Sequence, residues 1–185
     1  MNKLNGSLVY LAGPIDFAAD LGVGWRQAIR PELKKMGMLI LDPTNKPVHD
    51  DDALLDEGVE NHVLRNQLKQ EGKFEELAES GKMVRAFDLR CVDKCDCLIG
   101  YIDRDVTMTG TLEEIFWANR MKKPTLIFCK QGKKALSDWF FWAFPPRYLH
   151  GSMEEVIEHL RKVDQGEEVD NKRWHFFDWK KIIEG

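Results

Sequence analysis

Short apolar runs alternate along this chain with stretches of helical spacing. Leu8 to Ala12 is an apolar run ending at Gly13-Pro14, which predicts a strand followed by a forced turn. From Trp25 to Met36 the apolar residues Trp25, Ile29, Leu33 and Met36 fall on one helical face, with Pro31 predicting a kink or a late start and Gly37 a stop. Met38 to Leu41 is a second buried-type strand, closed by Asp42-Pro43. Residues 44 to 58 form a loop carrying Pro47 and the acidic run Asp50-Asp51-Asp52. Helical spacing returns over Val59 to Ala78, is punctuated at Ser80-Gly81, and resumes from Met83 to Val92. Cys97 to Ile102 reads as the third strand, Thr111 to Met121 as a helix and Thr125 to Cys129 as the fourth strand. Ser152-Met153-Glu154-Glu155 is a capping-box start for a helix to Val163. The charged stretch Lys162 to Lys172 connects it to an aromatic tail, Trp174 to Trp179.

Strands alternating with helices predict an α/β fold, three layers around a central parallel sheet. Such sheets take ligands at the carboxyl ends of their strands, near the point where strand order reverses. The turns at Gly13-Pro14, Asp42-Pro43 and Asp103 to Gly110 all follow strands, so they can converge on one crevice. No internal repeat or low-complexity segment interrupts the pattern. The length of 185 residues predicts a single domain, with its core over about 8–130 and a C-terminal helix and tail over 150–185.

Composition narrows the function classes. Hydrophobic residues at 43% and charged residues at 31% describe a globular chain with a full core. A net charge of −4 without a Lys/Arg cluster argues against a nucleic-acid binder. The longest strongly apolar run, Trp139 to Phe144, is too short to span a bilayer, and Leu8 to Ala12 is too brief for a signal peptide. No membrane association and a cytoplasmic location are expected. Cys91, Cys95, Cys97 and Cys129 match neither C-x-x-C nor zinc-ribbon spacing, so small buried thiols are expected, with no metal and no disulfide.

Candidate chemistry centres on Gly110-Thr111-Leu112-Glu113-Glu114, between the third strand and the following helix. A Gly/Thr turn there brings backbone close to a ligand. A Glu in the first helical turn also satisfies the helix dipole, which is the ordinary explanation. Adjacent helical residues point about 100° apart, so one of Glu113 and Glu114 faces the crevice. Ile115 and Ala118 mark the buried side and put Glu114 at its leading edge. Asp88, in Arg85-Ala86-Phe87-Asp88-Leu89-Arg90, fits either an ion pair with Arg85 or Arg90 or a partly buried acid. Tyr10 fits either a core tyrosine or a phenol that orients a carboxylate. Gly13 is a weak phosphate-loop signal, since neither G-x-G-x-x-G nor a P-loop motif is present. His49 beside Asp50 suggests a cation site less strongly than a solvated acidic loop. The run Trp139, Phe140, Phe141, Trp142, Phe144 reads as core or subunit interface, or as a base-stacking wall.

Two segments together resemble the nucleoside 2-deoxyribosyltransferase family. Tyr10-Leu11-Ala12-Gly13-Pro14 is similar to its opening strand and loop. Gly110-Thr111-Leu112-Glu113-Glu114, followed by Ala118, Lys123-Pro124 and Thr125 to Cys129, is similar to its catalytic segment. Asp88 lies between them as the family's active-site aspartate does. The resemblance covers roughly 8–130 and fades over 44–80 and in the last third. It implies a flavodoxin-like α/β sandwich and transfer of 2-deoxyribose between nucleobases, with no cofactor. Glu114 would be the nucleophile, Tyr10 would hold and tune it, and Asp88 would exchange a proton with the base. Gly13, Pro14, Phe17, Asp105, Gly110 and Thr111 would line the substrate site. The implied partners are a deoxynucleoside or deoxynucleotide and a free nucleobase, and a homo-oligomer is implied as well.

The chain departs from the family at one position. Members often carry an aspartate six residues before the nucleophile, to bind a sugar hydroxyl; here Met108 stands there, with Asp103 or Asp105 as substitutes if the loop is longer. Related nucleotide N-glycosidases hydrolyse deoxynucleoside monophosphates on the same fold. Hydrolysis of nucleosides or nucleoside 5′-monophosphates is therefore the alternative to transfer, and a non-catalytic nucleotide-binding module is the third reading.

Overall fold

Apolar β-branched and aromatic runs bounded by turns fold here into a five-stranded sheet, every adjacent pair parallel, in the order β2-β1-β3-β4-β5. The computed structural model describes residues 2–48, 57–167 and 172–185, and for residues 179–180 the backbone only. The strands are β1 (Leu8–Ala12), β2 (Leu39–Leu41), β3 (Cys97–Ile102), β4 (Thr125–Cys129) and β5 (Leu149–His150). The helices are α1 (Val23–Lys35), α2 (Val59–Gln70), α3 (Phe74–Lys94), α4 (Thr109–Arg120), α5 (Asp138–Ala143), α6 (Met153–Gln165) and α7 (Trp179–Glu184). This is the α/β three-layer arrangement the alternating pattern predicts, and its strand order is the flavodoxin-like one.

Strand alternation sorts the core into two layers. Val9 and Leu11 of β1 pack with Ile29 and Leu33 of α1 and with Val156 and Leu160 of α6. Tyr10 and Ala12 point to the other face, toward Cys91 and Val92 of α3 and Ile115 and Ala118 of α4. The chain leaves β1 for β2 on one side and returns to β3 on the other. The carboxyl ends of β1 and β3 therefore diverge and leave a crevice at the switch point.

Local expectations shift in four places. The helix after β1 starts at Val23 and continues through Pro31, which loses one intrahelical donor while Ile29 and Leu33 anchor both sides in the core. Ser80-Gly81 does not end a helix. The break falls at Glu71-Gly72-Lys73, where Gly72 takes φ +70°, and α3 then runs 21 residues through Ser80, whose hydroxyl donates to Leu77 O. The aromatic run becomes α5: Phe140 and Phe144 are buried against Phe116, while Trp139 and Trp142 are exposed. A two-residue β5, too short to leave a periodic signal, closes the sheet edge beside β4. The capping box holds, with Glu155 N donating to Ser152 Oγ. All four cysteines are free and buried. His49 and Asp50-Asp51-Asp52 lie outside the described residues. Among the described residues no helix is long and apolar enough to cross a membrane.

Candidate active site

A cavity of about 330 Å³ opens at the switch point. Its walls come from the loop after β1 (Gly13 to Phe17), Pro43 after β2, Glu57, the inner face of α3 and the start of α4. Two close packings without a Cβ shape it. At Gly13, a Cβ would stand 2.7 Å from the Trp25 ring, so the bare backbone lets α1 close on the loop. At Gly100 in β3, a Cβ would stand 2.7 Å from Ile115 Cδ1. The missing side chain lets α4 sit tight on the sheet, and Glu114 is the neighbour of Ile115.

Tyr10 is fully buried, and its Oη donates to Glu114 Oε1 at 2.7 Å. Burial, with Glu114 adjacent, raises the phenol well above its ordinary value, so it remains a donor. Burial pushes the Glu114 carboxyl up to about 8, and the neighbouring Asp88 adds to this; the Tyr10 hydrogen bond and the Arg26 charge oppose it. Glu113 lines the same cavity at its exposed rim, where it accepts from Arg85 Nε at 2.9 Å. Arg85 is thereby engaged with Glu113 rather than with Asp88.

Asp88 is buried in α3 and lines the same cavity. Burial first, and Glu57 second, raise its carboxyl to about 7, against the pull of Lys46. Lys46 donates to Glu57 Oε1 and to Pro43 O at 2.9 Å, and its Nζ stands 3.1 Å from Asp88 Oδ1. Glu57, Asp88 and Glu114 thus line one cavity, together with Asp16 and Glu113, and Lys46 is clamped between the first two.

Arg26 underpins the loops. It is buried, its guanidinium donates to Leu11 O, Gly13 O and Gly22 O, and it stands 3.6 Å from Asp42. Asp42 also accepts from Arg30, Thr44 N and Thr44 Oγ1. The turns after β1 and β2 are therefore tied to each other through one buried ion pair.

Gly13, Pro14, Phe17, Asp88, Gly110, Thr111 and Glu114 all line the cavity, with Tyr10 directly behind Glu114. Phe17 is 56% exposed at the rim, with Lys69 Nζ 5.7 Å from its ring centroid. Asp105 is not among the lining residues. Its carboxylate accepts from Gln131 Nε2 at 3.0 Å, and Asp103 is held by Lys130 and Gln131, so both acids belong to the end of β4. Met108, at the start of α4, does line the cavity, presenting a thioether where the family pattern has a carboxylate. None of residues 139–144 lines the cavity. Lys46, Glu57 and Arg26 carry no motif. Their one sequence signal is that Lys46 lies just past the Asp42-Pro43 turn, at a strand's carboxyl end. Among the described residues no cluster of His, Cys, Asp and Glu is arranged to hold a metal ion.

This geometry matches the class to which the sequence is assigned: the profile of the nucleoside 2-deoxyribosyltransferase family matches residues 9–172, and the chain belongs to that family. No curated relative matches by sequence. Among solved structures, a 2-desoxiribosyltransferase from Leishmania mexicana is 19% identical, covering 69% of this chain and 67% of its own, with a TM-score of 0.44. The Clostridium botulinum CMP N-glycosidase BcmB is 16% identical, covering 83% of this chain and 98% of its own, with a TM-score of 0.43. Family and fold together support action on the N-glycosidic bond of nucleosides or nucleotides.

Proposed function

We propose that the protein is a nucleoside 2-deoxyribosyltransferase that works by double displacement through a glycosyl ester on Glu114. The observation that carries this reading is the Tyr10–Glu114 hydrogen bond at the wall of a cavity that also presents Asp88. Tyr10 occupies Oε1 and leaves Oε2 for the sugar. In the first step Oε2 bonds to C1′ as the N-glycosidic bond breaks. The bonding pair goes to the base nitrogen, and Asp88 delivers its proton to the leaving base. In the second step a nitrogen of the incoming base bonds to C1′, the ester C–O bond breaks and its electron pair returns to Glu114. Asp88 takes the proton the incoming base loses. The logic is that of a retaining glycosidase with a base in place of water.

A second reading, hydrolysis of a nucleoside or its 5′-monophosphate, is favoured by Met108. A thioether cannot accept a hydrogen bond from a sugar hydroxyl as a carboxylate does, so the sugar end is read by other groups. One assay separates the two. Deoxynucleosides and deoxynucleoside monophosphates are incubated with and without a free acceptor base, and products are resolved by chromatography. Base exchange that requires the acceptor supports transfer; free sugar released without acceptor supports hydrolysis. Glu114→Gln abolishes either reaction, whereas Glu113→Gln, which removes an exposed ion pair, retains activity within about threefold. Undiminished exchange in Glu114→Gln overturns the assignment.

A further inference from the structure

Lys46 reaches groups on three different parts of the fold. Its Nζ donates to Pro43 O at 2.9 Å, donates to Glu57 Oε1, and stands 3.1 Å from Asp88 Oδ1. Pro43 lies in the turn after β2, Glu57 precedes α2, and Asp88 belongs to α3. The Lys46 side chain is 5% exposed and does not line the cavity, whereas Pro43, Glu57 and Asp88 all do. The ammonium therefore sits behind the wall and acts on an occupant of the cavity only through those groups.

Two features single out the contact with Asp88. No aligned hydrogen bond reaches the buried Asp88 Oδ1, so the charge 3.1 Å away is what holds that oxygen. The cation is itself fixed from behind: Pro43 directly follows Asp42, which is paired with Arg26 and Arg30. Helix α3 thus carries Asp88, while the place of its carboxyl is set from the turn after β2. Asp88 also faces Glu57, Glu114 and Tyr10, and Cys91 further along α3; of all these groups Lys46 alone is cationic. Burial pushes the Asp88 carboxyl up and Lys46 pulls it back, the direction a neighbouring cation imposes. We propose that Lys46 is the positioning residue for Asp88: its ammonium fixes that carboxyl at the cavity wall and holds the turn after β2 to α3 while a proton passes between Asp88 and the base. The inference rests on the reading of Asp88 as the acid and base of the reaction. It needs no assignment of the resting proton between Asp88 and Glu57.

The test has two readouts. The first is the titration of the Asp88 carboxyl, followed by carbon-13 NMR in protein labelled at its aspartate carboxyls, with Asp88→Asn assigning the signal. Lys46→Met keeps the stem and removes the charge, so the titration moves upward by about one pH unit or more. Glu57→Gln makes the facing carboxyl neutral and leaves Lys46 to Asp88, so the titration moves downward. Lys46→Arg keeps the charge and leaves the titration near its wild-type position. The second readout is kcat and KM for base exchange or hydrolysis. Lys46→Met lowers kcat by about tenfold or more with a smaller change in KM, and its pH–rate profile moves with the titration. Lys46→Arg recovers the profile and part of kcat. An Asp88 titration that stays in place in Lys46→Met, or moves the same way in Lys46→Met and Glu57→Gln, overturns the inference, as does full kcat in Lys46→Met. Should Lys46→Met not fold, the other two variants decide: a downward titration in Glu57→Gln with a wild-type one in Lys46→Arg upholds the inference, and failure of either overturns it. If the wild-type protein cleaves no nucleoside or nucleotide, the proposed activity fails instead, and the titration alone decides whether Lys46 holds Asp88.

Discussion

Tyr10 Oη lies 2.7 Å from Glu114 Oε1, so a residue of the first strand positions a carboxylate 104 positions later. Tyr10→Phe removes that donor and leaves the buried ring. A hydrogen bond to a charged group is worth about 1.5–3 kcal/mol, so kcat should fall by about ten- to hundredfold. Without the donor the ionised form of Glu114 is less favoured, and the pH profile should move to higher pH. Steady-state rates over pH 5 to pH 10 check both effects, and an unchanged profile would count against Tyr10 tuning Glu114.

In the proposed mechanism the reactive form holds one proton on Asp88 and none on Glu114. With the two carboxyls raised to about 7 and about 8, the pair carries a single proton chiefly between those values; the higher value puts it mostly on Glu114, so the reactive form is the minor of the two singly protonated states. A bell-shaped kcat/KM profile with its maximum in that window is expected, the two limbs belonging to the pair. Asp88→Asn should remove the bell along with most of the rate.

The same shifts act on stability. Both carboxyls are raised above their ordinary values of 3.8 and 4.5, so their contribution is fully present below about pH 4 and is lost as pH rises through about 7 to 8. Glu114→Gln should therefore raise Tm by on the order of 5 °C at pH 9 and by much less at pH 5. Thermal melts at the two pH values measure the difference; an equal effect at both would show that Glu114 is not held against its charged form.

Gly100 and Ile115 set the distance between β3 and α4. Gly100→Val adds branched volume where a Cβ alone would stand 2.7 Å from Ile115 Cδ1. Overpacking should cost about 1–3 kcal/mol in denaturant unfolding, and displacement of α4 should lower kcat more than it raises KM. A variant with full kcat would separate the helix position from the chemistry.

Arg26→Met should be the most destabilising of these changes. It removes the guanidinium donor from Leu11 O, Gly13 O and Gly22 O and leaves Asp42 with Arg30 as its one cationic partner beside Thr44, at a cost of about 3–5 kcal/mol. Arg26→Lys should recover little, because an ammonium cannot span carbonyls on two segments as the guanidinium fork does. Urea unfolding midpoints provide the comparison.

Much of the scaffold is legible in one dimension. The runs at 8–12, 97–102 and 125–129 are too apolar and too short for anything but buried parallel strands, and the capping box at Ser152 marks α6. Period-two alternation places Tyr10 on the face opposite Val9 and Leu11, and helical periodicity places Glu114 beside the buried Ile115. Pro31 and Ser80-Gly81 are breakers locally, yet both lie inside helices: Ile29 and Leu33 anchor α1 in the core on either side of Pro31, and the buried residues of α3 from Val84 onward follow Gly81, outweighing a few kcal/mol of backbone preference. Residue types and local spacing thus determined the elements and the candidate acids. Only tertiary structure decided which partner each acid takes: Glu113 goes to Arg85, Glu114 to Tyr10, and Asp105 to Gln131. Lys46, Glu57 and Arg26 come from loops and a helix face with no periodic signal. Their importance arises from desolvation and from partners brought together by folding, and neither quantity exists along the chain.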